Sequence, residues 1–238
     1  MGDMCGRFTL RTPANVLIKQ FALGADAELR PRYNIAPTQD VVAVRLAPED
    51  ETSPAAEREM AALRWGLIPS WAKDPSIGNR MINAGGETAA TKPAFREAFK
   101  RRRCLVAADG YYEWQKVGRR KQPFYIHRRD GQPFAFAGLW ERWSGDDARQ
   151  AAAPLQTCTI ITATTSELMR PIHGRMPAIV APADYQRWLD PDPDSQQPIE
   201  TRIAPFESDL MVADPVDTYV NNPKNDGPRC VKVQQTLF

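Results

Sequence analysis

Short apolar runs bounded by Pro, Gly or Asp occur along most of this 238-residue sequence, and they limit the folds that it can adopt. The runs are three to eight residues long and rich in β-branched or aromatic residues, which is typical of strands. Most of them follow one another through short turns, which favours an antiparallel or mixed sheet over a doubly wound parallel one. We therefore expect an α+β fold with a barrel-like sheet. The predicted strands are 41–46, 124–127, 134–140, 155–162, 178–180 and 210–213.

Asp109 and Gly110 form a dipeptide that is typical of the two-residue loop of a β-hairpin. It lies between the strand-like runs 104–107 and 111–114. The sequence therefore predicts that these two runs pair with each other as a hairpin.

Three helices are expected to flank the sheet. Thr12 followed by Pro13 is typical of a helix start, and apolar residues at helical spacing then predict a helix over 13–23. Similar patterns predict a second helix over 94–101 and a third over 184–189.

The sequence contains no repeat, linker or low-complexity tract, so we expect residues 5–238 to form one domain. No apolar run approaches the roughly 18 residues of a membrane span, and charged residues interrupt the N-terminus where a secretory signal would be apolar. We therefore expect a cytoplasmic protein, in the cytosol or at the nucleoid, with no membrane partner.

Charge is distributed unevenly although the net charge is only +2. Residues 80–130 contain 13 Lys and Arg against five Asp and Glu, whereas 182–218 contain two against nine. A basic surplus of this size predicts a face that binds a polyanion, with an ordinary solvated surface as the alternative.

Neither a metal nor a nucleotide cofactor is expected. The four cysteines lie at least 54 residues apart, which excludes a zinc knuckle and a redox dithiol. Phosphate-loop, dinucleotide, zinc-protease and nucleophile-elbow motifs are all absent from the sequence.

Glu113 and His173 are candidate proton-transfer groups. Glu113 lies among Tyr111, Tyr112 and Trp114, and burial among aromatic rings would raise the pKa of its carboxyl towards neutrality. His173 lies in a Pro- and Gly-containing loop, where a histidine can act as an acid or base. The alternatives are an outward-facing strand glutamate and a structural or surface histidine.

Two further candidates carry features of a ligand-binding surface. Asn83 precedes the glycines at 85 and 86, which permit a close approach of backbone to ligand, although a simple Asx turn explains the pattern as well. Trp65 is expected in the core, whereas Trp71 beside Ser70 and Lys73 suits stacking on nucleic acid.

Cys5 lies almost at the N-terminus, and its position matters chemically. A cysteine at a free N-terminus carries a thiol and an α-amine on neighbouring carbons. With a pKa of about 7.7, roughly a sixth of this amine is neutral at pH 7 and can form a Schiff base with an aldehyde. The adjacent thiol can then close a five-membered thiazolidine. The alternative is an incidental cysteine.

Six sequence blocks occur in order along the chain: MCGRF at 4–8, RYNIAP at 32–37, WGLIP at 65–69, INA with ET at 82–88, CL with GYYEW at 104–114, and HGRMP at 173–177. Together these blocks resemble the SOS response-associated peptidase (SRAP) family of abasic-site processing proteins. The resemblance runs from residue 4 to about residue 230 and implies one α+β domain with a barrel-like sheet. It also implies a reaction in which an N-terminal cysteine joins the ring-opened aldehyde of an abasic site in single-stranded DNA.

The resemblance also implies roles for individual residues. Cys5 would be the nucleophile, Asn83 would orient it and the sugar, Glu113 would be the acid/base, and His173 would assist sugar ring opening. The residues that the resemblance implies for DNA binding are Arg7 and Arg175 at phosphates and Asn34, Pro37 and Trp71 along the groove. The protein would act as a monomer.

Two departures from the family pattern affect these expectations. Gly85 stands where the family usually has Arg, which predicts weaker binding of one phosphate. Residues 1–4 precede Cys5, and while they are attached its nitrogen is an amide that cannot form the Schiff base. We expect this N-terminal extension to be a segment that is removed, a remnant of expression, or the result of the choice of start codon.

Two other functions stay open from the sequence. One is a thiol peptidase, or autopeptidase, that uses Cys5, His173 and Glu113. The other is a single-stranded DNA binder without catalysis, for which replacing Cys5 would change nothing.

Overall fold

The computed structural model describes residues 6–24, 28–47, 57–145, 154–191, 206 and 208–234. Strands dominate this part of the chain, and the α-helices are short. The helices are α1 (Ala14–Phe21), α2 (Gly86–Ala89), α3 (Arg96–Arg101) and α4 (Tyr185–Leu189). The strands are β1 (Phe8–Leu10), β2 (Arg32–Ile35), β3 (Asp40–Leu46), β4 (Arg58–Trp65), β5 (Asn83–Gly85), β6 (Arg103–Ala108), β7 (Gly110–Val117), β8 (Arg120–Arg128), β9 (Phe134–Trp143), β10 (Leu155–Thr164), β11 (Arg175–Pro177), β12 (Ile179–Val180) and β13 (Met211–Pro215).

Five strands close into a barrel in the order β10, β4, β3, β6, β9 and back to β10. The β4–β10 pair is parallel and the other four pairs are antiparallel. Strands β5, β11 and β12 extend this sheet at its rim through β10 and β9. The α+β class and the barrel-like sheet predicted from the sequence are confirmed.

A second sheet packs against the barrel in the order β13, β8, β7, β1, β2. The ring of Phe8 in β1 lies edge-on to Trp65 and Phe136 of the barrel strands, with centroid separations of 5.2 and 5.7 Å. Tyr111 of β7 contacts the same Phe136 ring at 5.9 Å. These rings are completely buried, so the two sheets share one hydrophobic core.

The predicted hairpin around Asp109 is wrong. β6 pairs with β3 and β9, whereas β7 pairs with β1 and β8, so the Asp109–Gly110 dipeptide passes the chain from one sheet to the other. The Asp109 carboxylate accepts hydrogen bonds from the Arg11 backbone N–H and the Thr12 hydroxyl. A Cβ at Gly110 would lie 2.5 Å from the Tyr125 ring, so this glycine is needed for close packing. The hairpin that does form joins β7 to β8 and turns at Gly118, where φ is +61°.

The three predicted helices are confirmed as α1, α3 and α4, each shorter than expected. Thr12 does not cap α1, because its hydroxyl donates to Asp109 and Pro13 occupies the N-cap position. Within the described ranges, no helix combines the length and apolar character that crossing a membrane requires.

Candidate functional site

Glu113 lies on β7 beside the strand that follows the chain's N-terminus. Its side chain is 2% exposed. β7 is antiparallel to β1, with Tyr111 opposite Phe8, and the Tyr112 amide donates to the Arg7 carbonyl at 2.9 Å. The pairing therefore continues to Arg7, which lies opposite Tyr112, the residue before Glu113. Cys5 itself lies outside the described residues.

His173 lies at the end of a tightly folded loop, and its side chain is half-buried. Its amide donates to the carbonyl of the buried Met169 at 2.9 Å, and the Thr165 hydroxyl donates to the His173 carbonyl at 3.0 Å. The imidazole Nδ1 lies 3.2 Å from the Arg175 amide and 3.1 Å from the Arg175 carbonyl oxygen. The ring is thus fixed through Nδ1.

Gln115 connects the strand of Glu113 to the loop of His173. Alternate residues of a strand point to the same face, so Gln115 shares a face of β7 with Glu113. Its side-chain amide donates to the Pro171 carbonyl at 3.0 Å, two residues before His173. This contact joins the strand that carries the predicted acid/base glutamate to the loop that carries the predicted histidine.

Asn83 lies on a strand that pairs with the barrel. It begins β5, which runs parallel to β10 with Asn83 opposite Ile160. The preceding carbonyl, of Ile82, accepts hydrogen bonds from the Ile160 amide at 3.0 Å and from the Trp65 indole at 2.8 Å. Trp65 is completely buried in the core, as predicted, and its indole holds the backbone immediately before Asn83.

Arg7 and Asn34 hold the C-terminal part of the chain against β1 and β2. Asn34 is completely buried, and its side-chain amide donates to the carbonyls of Val220, Asn222 and Asn225 at 2.8 to 3.1 Å. Its Oδ1 accepts a hydrogen bond of 3.1 Å from Arg7. The Asn34 side chain, which the resemblance assigns to the DNA groove, thus makes its hydrogen bonds within the protein.

Arg7 is also half-buried. Its Nη1 donates to the Val220 carbonyl at 3.1 Å and its Nη2 to the Asn221 carbonyl at 3.4 Å. Burial lowers the pKa of its guanidinium. The Asn221 side chain in turn accepts a hydrogen bond of 2.8 Å from the Trp114 indole, which follows Glu113 on β7.

Arg175 begins β11 and makes a bidentate ion pair with Glu87 of α2. The two N–O distances are 2.7 and 2.8 Å. Arg175 Nη2 also donates to the Thr162 carbonyl at 2.9 Å. A Cβ at Gly85 would lie 3.6 Å from Arg175 Nη2. Gly85, which stands where the family usually has Arg, therefore directly borders the Arg175–Glu87 ion pair.

Pro37 and Trp71 lie on separate turns and take no part in these hydrogen bonds. Pro37 is half-buried at the turn that follows β2. Trp71 is 60% exposed. The Ala72 carbonyl after it accepts a hydrogen bond of 2.6 Å from the Trp143 indole, which fixes the turn while the Trp71 ring stays open to solvent.

Glu87, Gln115 and Thr162 are contacts of the site that sequence reasoning missed. Glu87 was part of a family block but received no role there. Gln115 was detectable as the next same-face residue after Glu113 on a strand. Thr162 carried no local signal, because only the pairing of β10 with β5 and β11 places it here.

The described residues contain no cluster of three or more His, Cys, Asp or Glu side chains suited to a metal ion. Cys104, Cys158 and Cys230 are buried free thiols. Burial raises the pKa of Cys104 to about 12, so this thiol stays protonated and unreactive at neutral pH.

Comparison with known proteins identifies the class. Residues 4–223 match the family model described as SOS response associated peptidase (SRAP), and the chain belongs to this family. The resemblance found in the sequence is thereby confirmed.

Individual relatives cover nearly the whole chain. It is 40% identical over 238 residues to the abasic site processing protein YoaM of Bacillus subtilis, covering 98% of this chain and 100% of that protein. It is 32% identical over 231 residues to the abasic site processing protein HMCES of Xenopus tropicalis, covering 87% and 68%. A crystal structure of a Bacteroides thetaiotaomicron protein superimposes with a TM-score of 0.81 at 26% identity, covering 97% of this chain and 100% of that one.

Proposed function

We propose that this chain processes abasic sites in single-stranded DNA by forming a covalent thiazolidine crosslink through Cys5. The observation that carries the proposal is the buried Glu113 beside the N-terminal strand, joined to the His173 loop by the 3.0 Å contact from Gln115. The names of the relatives support the lesion as substrate.

The chemistry balances without a cofactor. After removal of residues 1–4, the free amine of Cys5 attacks the aldehyde carbon of the ring-opened sugar, and loss of water gives a Schiff base. The thiol sulfur then adds to that carbon while the nitrogen takes up a proton. Because the second step is intramolecular, ring closure is favoured and the DNA stays attached.

Glu113 is the proposed carrier of these protons, because it is buried on the strand that pairs with β1 and a buried carboxyl can accept and return protons without bulk water. His173 is held through Nδ1, and in the tautomer whose Nδ1 accepts from the Arg175 amide, Nε2 carries the proton that would go to the sugar ring oxygen as the ring opens. Asn83 would orient the sugar from the barrel side. Arg7 would bind a phosphate, and the exposed Trp71 would stack on or wedge apart the flanking bases.

The test compares Glu113→Gln with wild type and with Glu97→Gln, a control of equal charge change at an exposed position on α3. Crosslinking to an abasic oligonucleotide and exchange of a formed adduct onto competitor DNA are followed over time. We expect Glu113→Gln to slow both steps by about 10² to 10⁴, the usual loss for an acid/base, and the control to slow neither.

Wild-type exchange rates for Glu113→Gln would remove Glu113 from the mechanism. Multiple turnover on peptides without any DNA adduct would instead support the peptidase alternative, and DNA binding that survives in Cys5→Ala with no adduct in wild type would support a non-catalytic binder.

A further inference from the structure

Glu87 and Arg175 form a pair without net charge at a position assigned to phosphate binding. Both oxygens of the carboxylate contact the guanidinium, at 2.7 and 2.8 Å. Their side chains are 43% and 29% exposed, so the pair is reachable from solvent. The hydrogen bond from Arg175 lowers the pKa of Glu87, and the carboxylate is therefore ionised at neutral pH.

Thr162 holds Arg175 independently of Glu87. Arg175 Nη2 lies 2.9 Å from the Thr162 carbonyl and 3.2 Å from its hydroxyl, and Nε lies 3.4 Å from the same hydroxyl. Thr162 is completely buried on β10, paired with both Gly85 and Pro177, so it is a rigid support. Loss of the Glu87 charge would leave the guanidinium in place.

Gly85 places no side chain beside this pair. A Cβ there would lie 3.2 Å from Glu87 Oε2, so a side chain at position 85 would reach the carboxylate directly. With glycine, position 85 supplies no second cation to share that carboxylate. The charge of Glu87 is therefore directed at Arg175.

We infer that Glu87 determines binding specificity by competing with DNA phosphate for Arg175, which lowers affinity for undamaged single strands. A phosphodiester that approaches Arg175 meets a guanidinium whose charge is already neutralised, and it must displace or repel the carboxylate. Retention on DNA would then depend more on the covalent step at an abasic site than on non-specific attraction. This inference rests on the proposed function, in which DNA is the substrate, and on the family resemblance, which assigns a DNA phosphate to Arg175.

The experiment measures binding of an undamaged single-stranded oligonucleotide over a range of salt concentrations, so that crosslinking does not contribute. Glu87→Gln should raise affinity roughly three- to tenfold and steepen the log–log salt slope by about 0.7, the value for one further neutralised phosphate. Glu97→Gln adds the same net charge at an exposed site and should change affinity much less. Glu87→Ala should act in the same direction as Glu87→Gln.

The double variant Glu87→Gln with Arg175→Ala tests whether the gain in affinity depends on Arg175. It leaves the position neutral, as in wild type, and should return affinity and slope to wild-type values. Unchanged or weaker binding by folded Glu87→Gln and Glu87→Ala, or an equal gain in Glu97→Gln, would overturn the inference. Failure of wild type to crosslink abasic DNA would overturn the proposed function alone, because the undamaged strand reports only on phosphate binding.

Discussion

Arg7 and Arg175 are both assigned to phosphates by family resemblance, but the protein surrounds them differently. The acceptors of Arg7 are the Asn34 amide oxygen and the carbonyls of Val220 and Asn221, all of them neutral. Arg175 instead faces both oxygens of the Glu87 carboxylate. The charge of Arg7 is therefore not compensated by these contacts, whereas the charge of Arg175 is compensated by Glu87.

Arg7 and Arg175 each donate several hydrogen bonds, but only the charge of Arg175 is compensated by a carboxylate. The number of hydrogen bonds that a guanidinium makes therefore does not determine its net local charge. Arg7 immediately precedes β1, and its own carbonyl accepts a hydrogen bond from the Tyr112 amide of β7, so a phosphate bound at Arg7 would lie two residues from Cys5 along the chain. Arg175 lies at the rim of the barrel. Neutralisation of its charge by Glu87 would limit electrostatic attraction to both damaged and undamaged DNA.

The largest expected effect is a loss of stability when the neutral hydrogen-bond partners of Arg7 are disturbed. Asn34→Ala removes the amide that satisfies three backbone carbonyls and Arg7, and leaves them without this partner in a buried region. Stability should fall by about 1 to 3 kcal/mol, measured by urea denaturation. A loss of salt dependence without a loss of stability would contradict the structural role of Asn34.

Removing the charge of Arg7 should weaken DNA binding, whereas removing both charges of the Arg175–Glu87 pair in the double variant should leave it unchanged. Arg7→Ala is expected to reduce affinity for single-stranded DNA about tenfold and to reduce the salt slope by about 0.7. Arg7→Lys is the matched control, since it keeps the charge but loses the forked geometry. The comparison fails if Arg7→Lys loses as much salt dependence as Arg7→Ala.

Gly85→Arg should reduce the asymmetry between the two regions. The new side chain starts 3.2 Å from Glu87 Oε2 and supplies a second cation to that carboxylate, so the region gains one net positive charge. We expect a several-fold gain in affinity and a steeper salt slope. Gly85→Met, of similar length without charge, should show neither, and an equal gain in both variants would point to packing instead.

The smallest expected effect is on stability as a function of pH. The pKa of Glu87 is lower in the folded protein than the ordinary value of about 4.3, so its ion pair stabilises the fold above that value. This stabilisation is lost as pH falls through the lowered pKa. Thermal unfolding of wild type and Glu87→Gln should therefore differ at pH 7 and converge at low pH. A difference that persists at low pH would show that the ion pair is not its source.

Local sequence patterns predicted the elements whose residues and neighbours agree. β3, β9 and β10 are rich in β-branched or aromatic residues and were predicted within a few residues. β4 was missed because Glu59, Met60 and two alanines favour a helix, and its strand conformation depends on pairing with β3 and the distant β10.

Burial of Glu113 was predictable from its aromatic neighbours and is confirmed. The main partners of Arg7 and Arg175 were not predictable, because they are distant in the sequence. Arg175 and Glu87 are 88 residues apart, and Arg7 and Val220 are 213 residues apart. The Asp109 error has the same origin: a dipeptide typical of a local turn instead satisfies the backbone of a distant segment.

Intact mass spectrometry tests the proposed covalent capture of an abasic aldehyde by an N-terminal Cys5. A chain that begins at Cys5 is mixed with a single-stranded abasic oligonucleotide, beside the same chain with residues 1–4 retained and a Cys5→Ser variant. We expect one stable adduct, with the mass of protein plus oligonucleotide less one water, and only with the unsubstituted chain that begins at Cys5. A heat-stable adduct of that mass in the sample verified to retain residues 1–4 would contradict this expectation.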